Sequence, residues 1–246
     1  MSNFSANITV LQKVRDKVTN RLRRDYEEIS HLQNSIKSTN TFAQMSRDKI
    51  EKNIVEELLY ARNNFDLLSA NMGVIKNDNQ KFRWVVNCIS DINNFAHALP
   101  FSTVSISIEE DVKNEFTTIA CMVMVLGANE IFYAEKGKGS WVEISKTHVS
   151  NSRIRVSNRS KNLVLVSENE IEQEKVSFNS KIVPLVYLAA GRIDGVFFKE
   201  VSHFEISAPV LLINEAGGYV KKKQLKDHYS IFATNHKSDK FLPTLS

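Results

Sequence analysis

The stretch that most constrains the fold is Trp84-Val85-Val86-Asn87-Cys88-Ile89-Ser90-Asp91-Ile92-Asn93-Asn94-Phe95. An apolar run enters a polar turn, and the chain then turns apolar again on its way to Leu99-Pro100-Phe101. The run over 82–86 reads as a strongly buried strand, and the residues after it read as a turn opening a helix. Asp91, Asn93 and Asn94 are residue types that favour helix caps, so capping is the first role expected of them.

Around this junction the chain alternates between helical and strand patterns. Ile8, Leu11, Val14, Val18, Leu22, Tyr26 and Ile29 recur at three- and four-residue steps, which predicts an amphipathic helix over 8–36. Ser38-Thr39-Asn40 reads as a break, and a second helix is expected over 46–63, with Ser46 as a candidate cap. Strands are expected at 65–68, 82–86, 104–108 (alternating, hence half-buried), 116–126 and 130–135, with turn chemistry at 77–79. Gly137-Lys138-Gly139 predicts a tight turn into Ser140-Trp141-Val142. The second half mixes a strand at 163–167, a helix at 182–190 stopped by Gly191, and a strand at 195–198. A helix over 209–216 comes next, started by Pro209 and closed by Gly217-Gly218, before two short strands at 219–220 and 231–233.

Bulk properties exclude several classes. The chain has 246 residues, 42% hydrophobic and 24% charged, the composition of a globular protein long enough for one large or two small domains. A formal net charge of +4 is weak evidence for a polyanionic partner. The two cysteines, Cys88 and Cys121, suggest no disulfide framework. No signal peptide is visible and the apolar run over 119–127 falls short of the roughly 20 residues a membrane helix needs. No membrane association and a cytoplasmic location are the expectation. The six histidines lack zinc spacing. Cys88 reads as a small buried thiol rather than a nucleophile, although His97 is nearby in sequence. Arg21, Arg23, Arg24 and the run Lys221-Lys222-Lys223 read as solvated faces that could meet RNA or an acidic protein if gathered on one surface.

The 84–95 segment resembles the inositol monophosphatase signature Trp-(Ile/Val)-(Ile/Val)-Asp-Pro-(Ile/Leu)-Asp-Gly-Thr-Thr-Asn-Phe. Three further segments are similar to family runs in the same order. They are 129–139 with the Glu-Leu-Tyr-x-Ala-x-x-Gly-x-Gly hairpin, 187–195 with Tyr-Val-Ala-Ala-Gly-Arg-Val-Asp-Gly, and 204–218 with Trp-Asp-x-Ala-Ala-Gly followed by Glu-Ala-Gly-Gly. The closing strand at 231–235 also matches. The resemblance covers about 38–235 and points to the bacterial extragenic-suppressor branch. It implies an α/β (α+β) fold, a layered α-β-α-β-α sandwich. The implied halves are 1–145 (helix pair plus sheet) and 146–246 (smaller α/β), one compact unit with a cleft between them.

Family enzymes hydrolyse phosphate monoesters with Mg²⁺, a hard cation that wants carboxylate oxygens in near-octahedral geometry. On the family register Ala70 and Asn71 replace a glutamate pair, Asn87 and Ser90 replace two aspartates, and Glu205 stands at the aspartate of Trp-Asp. The phosphate turn is degenerate too: Asp91 replaces its glycine, Ile92 a threonine, and Asn93 is the next residue. Near the second helix the family's Thr-x-x-Asp step falls on 43–48, where Asp48 supplies the acid only by a one-residue slip. Glu205 and the carbonyl of Ile89 are the weak metal candidates that remain, and no cofactor is expected to bind tightly. The implied protein has an intact frame and no intact catalytic set, and acts as a binding or regulatory scaffold. By family analogy its partner is a protein, the transcription machinery or RNA, and it is a candidate homodimer. Two alternatives stand beside this. One is a weak Mg²⁺-dependent inositol or sugar phosphatase using Glu205, Asp91, Asp48 and the Ile89 carbonyl. The other is a small-molecule sensor using the vacant cleft.

Overall fold

The computed structural model describes residues 5–33, 36–77, 79–144, 152–167 and 178–236. Two long helices open the chain. Helix α1 (Ala6–His31) is capped by Ser5, whose Oγ accepts the Ile8 N–H at 3.3 Å. Its buried stripe, Ile8, Leu11, Val14, Val18, Leu22 and Ile29, is the periodic set read from the sequence apart from Tyr26, which is half-buried. Helix α2 (Ile36–Ala61) starts ten residues earlier than expected, because Ser38, Thr39 and Asn40 are helical rather than a break. Thr39 is buried there, and packing outweighs the modest helix preference of such residues. Ser46 is correspondingly no cap: it sits inside α2 and donates its hydroxyl to Oδ2 of the buried Asp25 of α1 at 2.6 Å.

Strands β1 (Phe65–Ser69), β2 (Gly73–Ile75), β3 (Asn79–Ser90), β4 (Thr103–Val112), β5 (Glu115–Val125), β6 (Glu130–Glu135), β7 (Gly139–Ile144) and β8 (Ser152–Ile154) form one sheet in the order β2-β1-β3-β4-β5-β6-β7-β8. Only the β1–β3 pairing is parallel. The five-residue helix α3 (Ile92–Ala96) lies directly after β3. The sheet is covered on both faces, so β4 is buried at every position from Thr103 to Glu109 instead of half-buried as its alternation predicts. One face packs on α1 and α2, with Trp84, Val86, Ile106, Ile108 and Met122 turned toward them. The other face carries Cys121, Val123, Phe132 and Ala134 into a second core.

That second core is built on α4 (Ile182–Ala189) and α5 (His203–Glu215). Beyond them lies a four-stranded sheet of β9 (Leu165–Ser167), β10 (Gly195–Val201), β11 (Tyr219–Leu225) and β12 (His228–Thr234), in the order β11-β12-β10-β9. The layers among the described residues therefore run helix pair, large sheet, helix pair, small sheet, an α/β architecture. Pro209 does not start α5 but lies inside it. The helix begins at His203, where Glu205 Oε2 accepts the backbone N–H of Ser202 at 2.6 Å, one arm of a capping box. The turn chemistry expected at 77–79 includes Asp78, which lies outside the described residues; Asn79 already belongs to β3.

Two motif carboxylates serve the frame. Glu215 accepts the N–H groups of Gly137 at 2.7 Å and Gly139 at 2.8 Å, tying α5 to the β6–β7 turn. Both glycines hold positive φ, 76° and 102°, a conformation that disfavours any residue with a Cβ. Asp194 is 1% exposed and accepts from Arg159 Nε at 3.0 Å, the Val164 N–H at 2.9 Å and the Ser157 hydroxyl.

Candidate functional site: a cleft at the end of strand β3

Strand β3 ends in a bulge. Asn87 pairs with Ser105 and Ser90 with Thr103, so three steps along β3 oppose two along β4. Ile89 absorbs the extra residue with a φ of 46°, and Asp91 has a φ of 58°. A left-handed β-branched residue is a genuine outlier costing on the order of 1–3 kcal/mol. The bulge turns Asn87 and Ser90 toward a cleft of 290 Å³. Asp91 keeps the left-handed geometry without being glycine. Its carbonyl accepts the N–H groups of Asn94 at 2.8 Å and Phe95 at 3.3 Å. Its carboxylate makes no side-chain cap. Capping by the Asp91 side chain is thus overturned: Oδ2 turns back to the Ser90 hydroxyl at 3.1 Å, with Ser180 as a second donor. Burial raises the Asp91 pKa, and the nearby Glu205 charge adds to this; the two serine hydrogen bonds and Lys181 oppose it.

The cleft brings together Ala70, Asn71, Asn87, Ile89, Ser90, Asp91, Ile92 and Glu205, residues from separate segments of the chain. Asn93 is exposed and does not line it. Asn94, beside it, is fully buried. Its Nδ2 donates to the carbonyls of Phe178 at 3.1 Å and Asn179 at 3.0 Å, which bolts the turn to the segment before α4.

Two charged residues of α2 lie at the cleft or against its lining. Arg47 lines the cleft, whereas Asp48 does not and is 68% exposed at its side chain. The arginine of this pair is thus the one at the cleft, with its guanidinium 3.6 Å from Asp48. Glu51, one turn further along, is 1% exposed; it accepts from Asn71 Nδ2 at 3.0 Å and from the Ser69 hydroxyl. Asn71 is thus held by a carboxylate rather than free to reach a ligand. The signal for Arg47 is present in the sequence, since Ser46-Arg47-Asp48 puts arginine at the unslipped position. Glu51 gives none, because its partners lie 18 and 20 residues away.

This donor set does not fit a magnesium cluster. Asp91 and Glu205 are the carboxylates lining the cleft, and each already has a close donor at 3.1 and 2.6 Å. No grouping of three or more histidine, cysteine, aspartate and glutamate side chains suited to a metal ion occurs among the described residues. The Ile89 carbonyl adds no net charge, and the Arg47 guanidinium, paired with Asp48 at 3.6 Å, supplies none of the anionic oxygens a divalent ion needs. Cys88 is inert: it is fully buried, burial pushes its thiol pKa well up, and its Sγ contacts the Arg47 carbonyl at 3.8 Å while His97 is exposed.

The basic clusters do not merge. Alternation along β11 puts Lys222 on the face opposite Lys221 and Lys223. Arg21 and Arg24 are tied to Asp25 at 3.4 and 3.0 Å. No helix among the described residues is long and apolar enough to cross a membrane.

A frame of this kind, with a cleft at the end of β3, has counterparts among known proteins. The inositol monophosphatase family model matches residues 3–238, and the chain belongs to that family. It is 27% identical to an inositol-1-monophosphatase of Mesorhizobium japonicum over 94% of this chain and 92% of that protein. It is 26% identical to the Nus factor SuhB of Pasteurella multocida, over 83% and 80% respectively. Among solved structures, the extragenic suppressor protein suhB of Bartonella henselae superposes with a TM-score of 0.76 at 26% identity, covering 93% of both chains.

Proposed function

We propose that this family member has lost Mg²⁺-dependent phosphomonoesterase chemistry and works by binding, as a scaffold or regulatory partner. The observation that carries this is Arg47 facing a cleft whose ligand positions are Ala70, Asn87 and Ser90. Two-metal hydrolysis needs several anionic oxygens to hold the ions and a phosphate turn without negative charge. Here the cleft is lined by Arg47, which is paired with Asp48, by those three side chains without charge, and by Asp91 in the turn. The relatives named Nus factor SuhB support a partner in the transcription machinery, protein or RNA.

Calorimetric titration with Mg²⁺, paired with phosphate release from inositol 1-phosphate, tests the reading. No binding at millimolar Mg²⁺ and no chelator-sensitive release are expected. Stoichiometric Mg²⁺ binding together with release abolished by chelator overturns it.

One observation favours a ligand in the same cleft. Asn87 is about nine-tenths buried, lines the cleft and its amide has no hydrogen-bond partner among the described residues. That leaves the amide open on the cleft side to a polar ligand. A neutral polyol suits a site holding both Arg47 and Asp91. A rise in Tm with myo-inositol that Asn87→Leu removes supports this sensor role; an unchanged Tm at about 50-fold excess over a ~1 mM Kd counts against it.

A further inference from the structure

Helix α5 separates two cavities. Ser202, Phe204 and Glu205 face the cleft, whereas His203, Ser207 and Val210 face a second cavity of 370 Å³ on the other side. The floor of this second cavity is a closed ionic cluster. Glu109 is 1% exposed; its Oε1 lies 2.8 Å from both Ser207 Oγ and His203 Nε2, and its Oε2 accepts from Arg83 Nε at 2.8 Å. Arg83 in turn stacks on the Phe116 ring at 3.6 Å. The other carboxylate of the lining, Glu215, is engaged by the Gly137 and Gly139 N–H groups.

The rim is different. Lys136 and Lys222 reach it from the β6–β7 turn and from β11, and neither makes an ion pair among the described residues. Lys222 rests 5.7 Å over the Tyr229 ring. Arg83, Lys136 and Lys222 are three positive charges against two on Glu109 and Glu215, and His203, which also lines the cavity, adds a fourth when protonated, so lining and floor together carry a net positive charge. Between rim and floor stand the aliphatic side chains of Val210 and Leu211. Unpaired ammonium groups over an apolar wall are complementary to an amphipathic monoanion, because the wall excludes water from the body while the lysines keep the head solvated.

We propose that this cavity binds a small organic carboxylate, with its head between Lys136 and Lys222 and its apolar body against Val210 and Leu211. A polyanion fits less well, since the Glu109 and Glu215 carboxylates in the lining oppose a second negative charge. The site is independent of the cleft and of any activity there.

Two-dimensional NMR titration of the full chain with hexanoate tests the proposal, with acetate (head without body) and hexylamine (body with opposite charge) as comparisons. Saturable shifts at the amides of Thr117, Lys136, Leu211 and Lys222 are expected with hexanoate at a Kd of about 1 mM, at least about tenfold weaker with acetate, and none with hexylamine. The exposed pair Lys136→Met and Lys222→Met is expected to keep the Tm of the free protein and lose hexanoate binding by about tenfold or more. Absence of saturation by about 50-fold excess over that Kd, equal response to acetate and hexanoate, or unchanged binding in the double variant each overturns it.

Discussion

His203 Nε2 lies 2.8 Å from Glu109 Oε1, joining the first turn of α5 to the buried middle of the large sheet. Burial alone would raise the Glu109 pKa. The His203 hydrogen bond and charge, the Arg83 charge and the Ser207 hydroxyl outweigh it and hold the group at about 2, below its ordinary 4.5. A carboxylate depressed in the folded state contributes stability that is present above the unfolded pKa and lost as pH falls through the folded one. The window is therefore pH 4.5 down to about 2, and the stability at stake is about 3 kcal/mol. Urea midpoints between about pH 6 and about pH 3 are expected to show this acid limb. Glu109→Gln is expected to flatten it while lowering stability at about pH 7 by about 3 kcal/mol, since Arg83 and His203 are left beside a neutral amide.

Asp91 should behave in the opposite sense. Burial raises its pKa, so its charged form is held less well in the folded state than in the unfolded chain. The folded state binds the proton more tightly, and stability falls as pH rises through the window above the unfolded value. Asp91→Asn keeps an oxygen for the Ser90 and Ser180 hydroxyls and tolerates the left-handed φ of 58°. The variant is expected to raise stability at about pH 7.5 by about 1 kcal/mol, or about 2–4 °C in Tm. Calorimetry at about pH 5 and about pH 7.5 checks it; a gain of equal size at both values would assign the effect to something other than the charge.

Asp91 was singled out in the sequence, whereas Glu109 was not. The β3 strand and the turn after it stand in the residues themselves, because Trp84-Val85-Val86 is apolar and Asn87–Asn94 is largely polar. The α1 stripe was equally plain, since a 3.6-residue period survives any tertiary context. Local residue chemistry misled at three places. Ser38-Thr39-Asn40 looked like a break, yet the buried Thr39 packs as helix. Ser46 looked like a cap, yet Asp25 claims its hydroxyl across two helices. Pro209 looked like a helix start, yet the Ser202–Glu205 cap launches α5 at His203, well before it. For Thr39 and Ser46 the deciding partner is hidden in the fold, whereas the Ser202–Glu205 capping box stood in the sequence, three residues apart. Arg47 and Glu109 line the two cavities, and of the two only Arg47 stood in a segment that the sequence had singled out.

The Ser46–Asp25 contact gives a stability prediction for the helix pair. Asp25 is 3% exposed and is reached by Ser46 Oγ at 2.6 Å, with Arg21 and Arg24 alongside. Ser46→Ala removes a hydrogen bond to a buried charge and is expected to cost about 1.5–3 kcal/mol. Ser46→Thr keeps the hydroxyl and should recover most of it. Chemical denaturation of the three proteins checks both statements. A Ser46→Ala loss under about 0.5 kcal/mol would mean that the arginines alone satisfy Asp25.

The cleft offers the most direct test of the proposed loss of metal-dependent chemistry. If the vacancy is electrostatic, restoring single acids should do little while Arg47 remains, because one added carboxylate is offset by the guanidinium. The combination Arg47→Asp, Ala70→Glu, Asn87→Asp and Ser90→Asp replaces one positive and three neutral groups lining one cleft by four carboxylates, a change of five charge units. With no metal bound those carboxylates repel one another, so the quadruple variant is expected to be less stable in chelator by about 2–4 kcal/mol. Millimolar Mg²⁺ is expected to reverse that loss, because an ion that binds the folded state alone stabilises it by mass action. The wild-type Tm is expected to be indifferent to Mg²⁺ over the same range. The triple variant that retains Arg47 should gain at least about tenfold less Mg²⁺ affinity than the quadruple, a difference of about 1.4 kcal/mol. Equal Mg²⁺ response in the triple and quadruple variants would show that Arg47 is a bystander and that the missing oxygens alone silence the site.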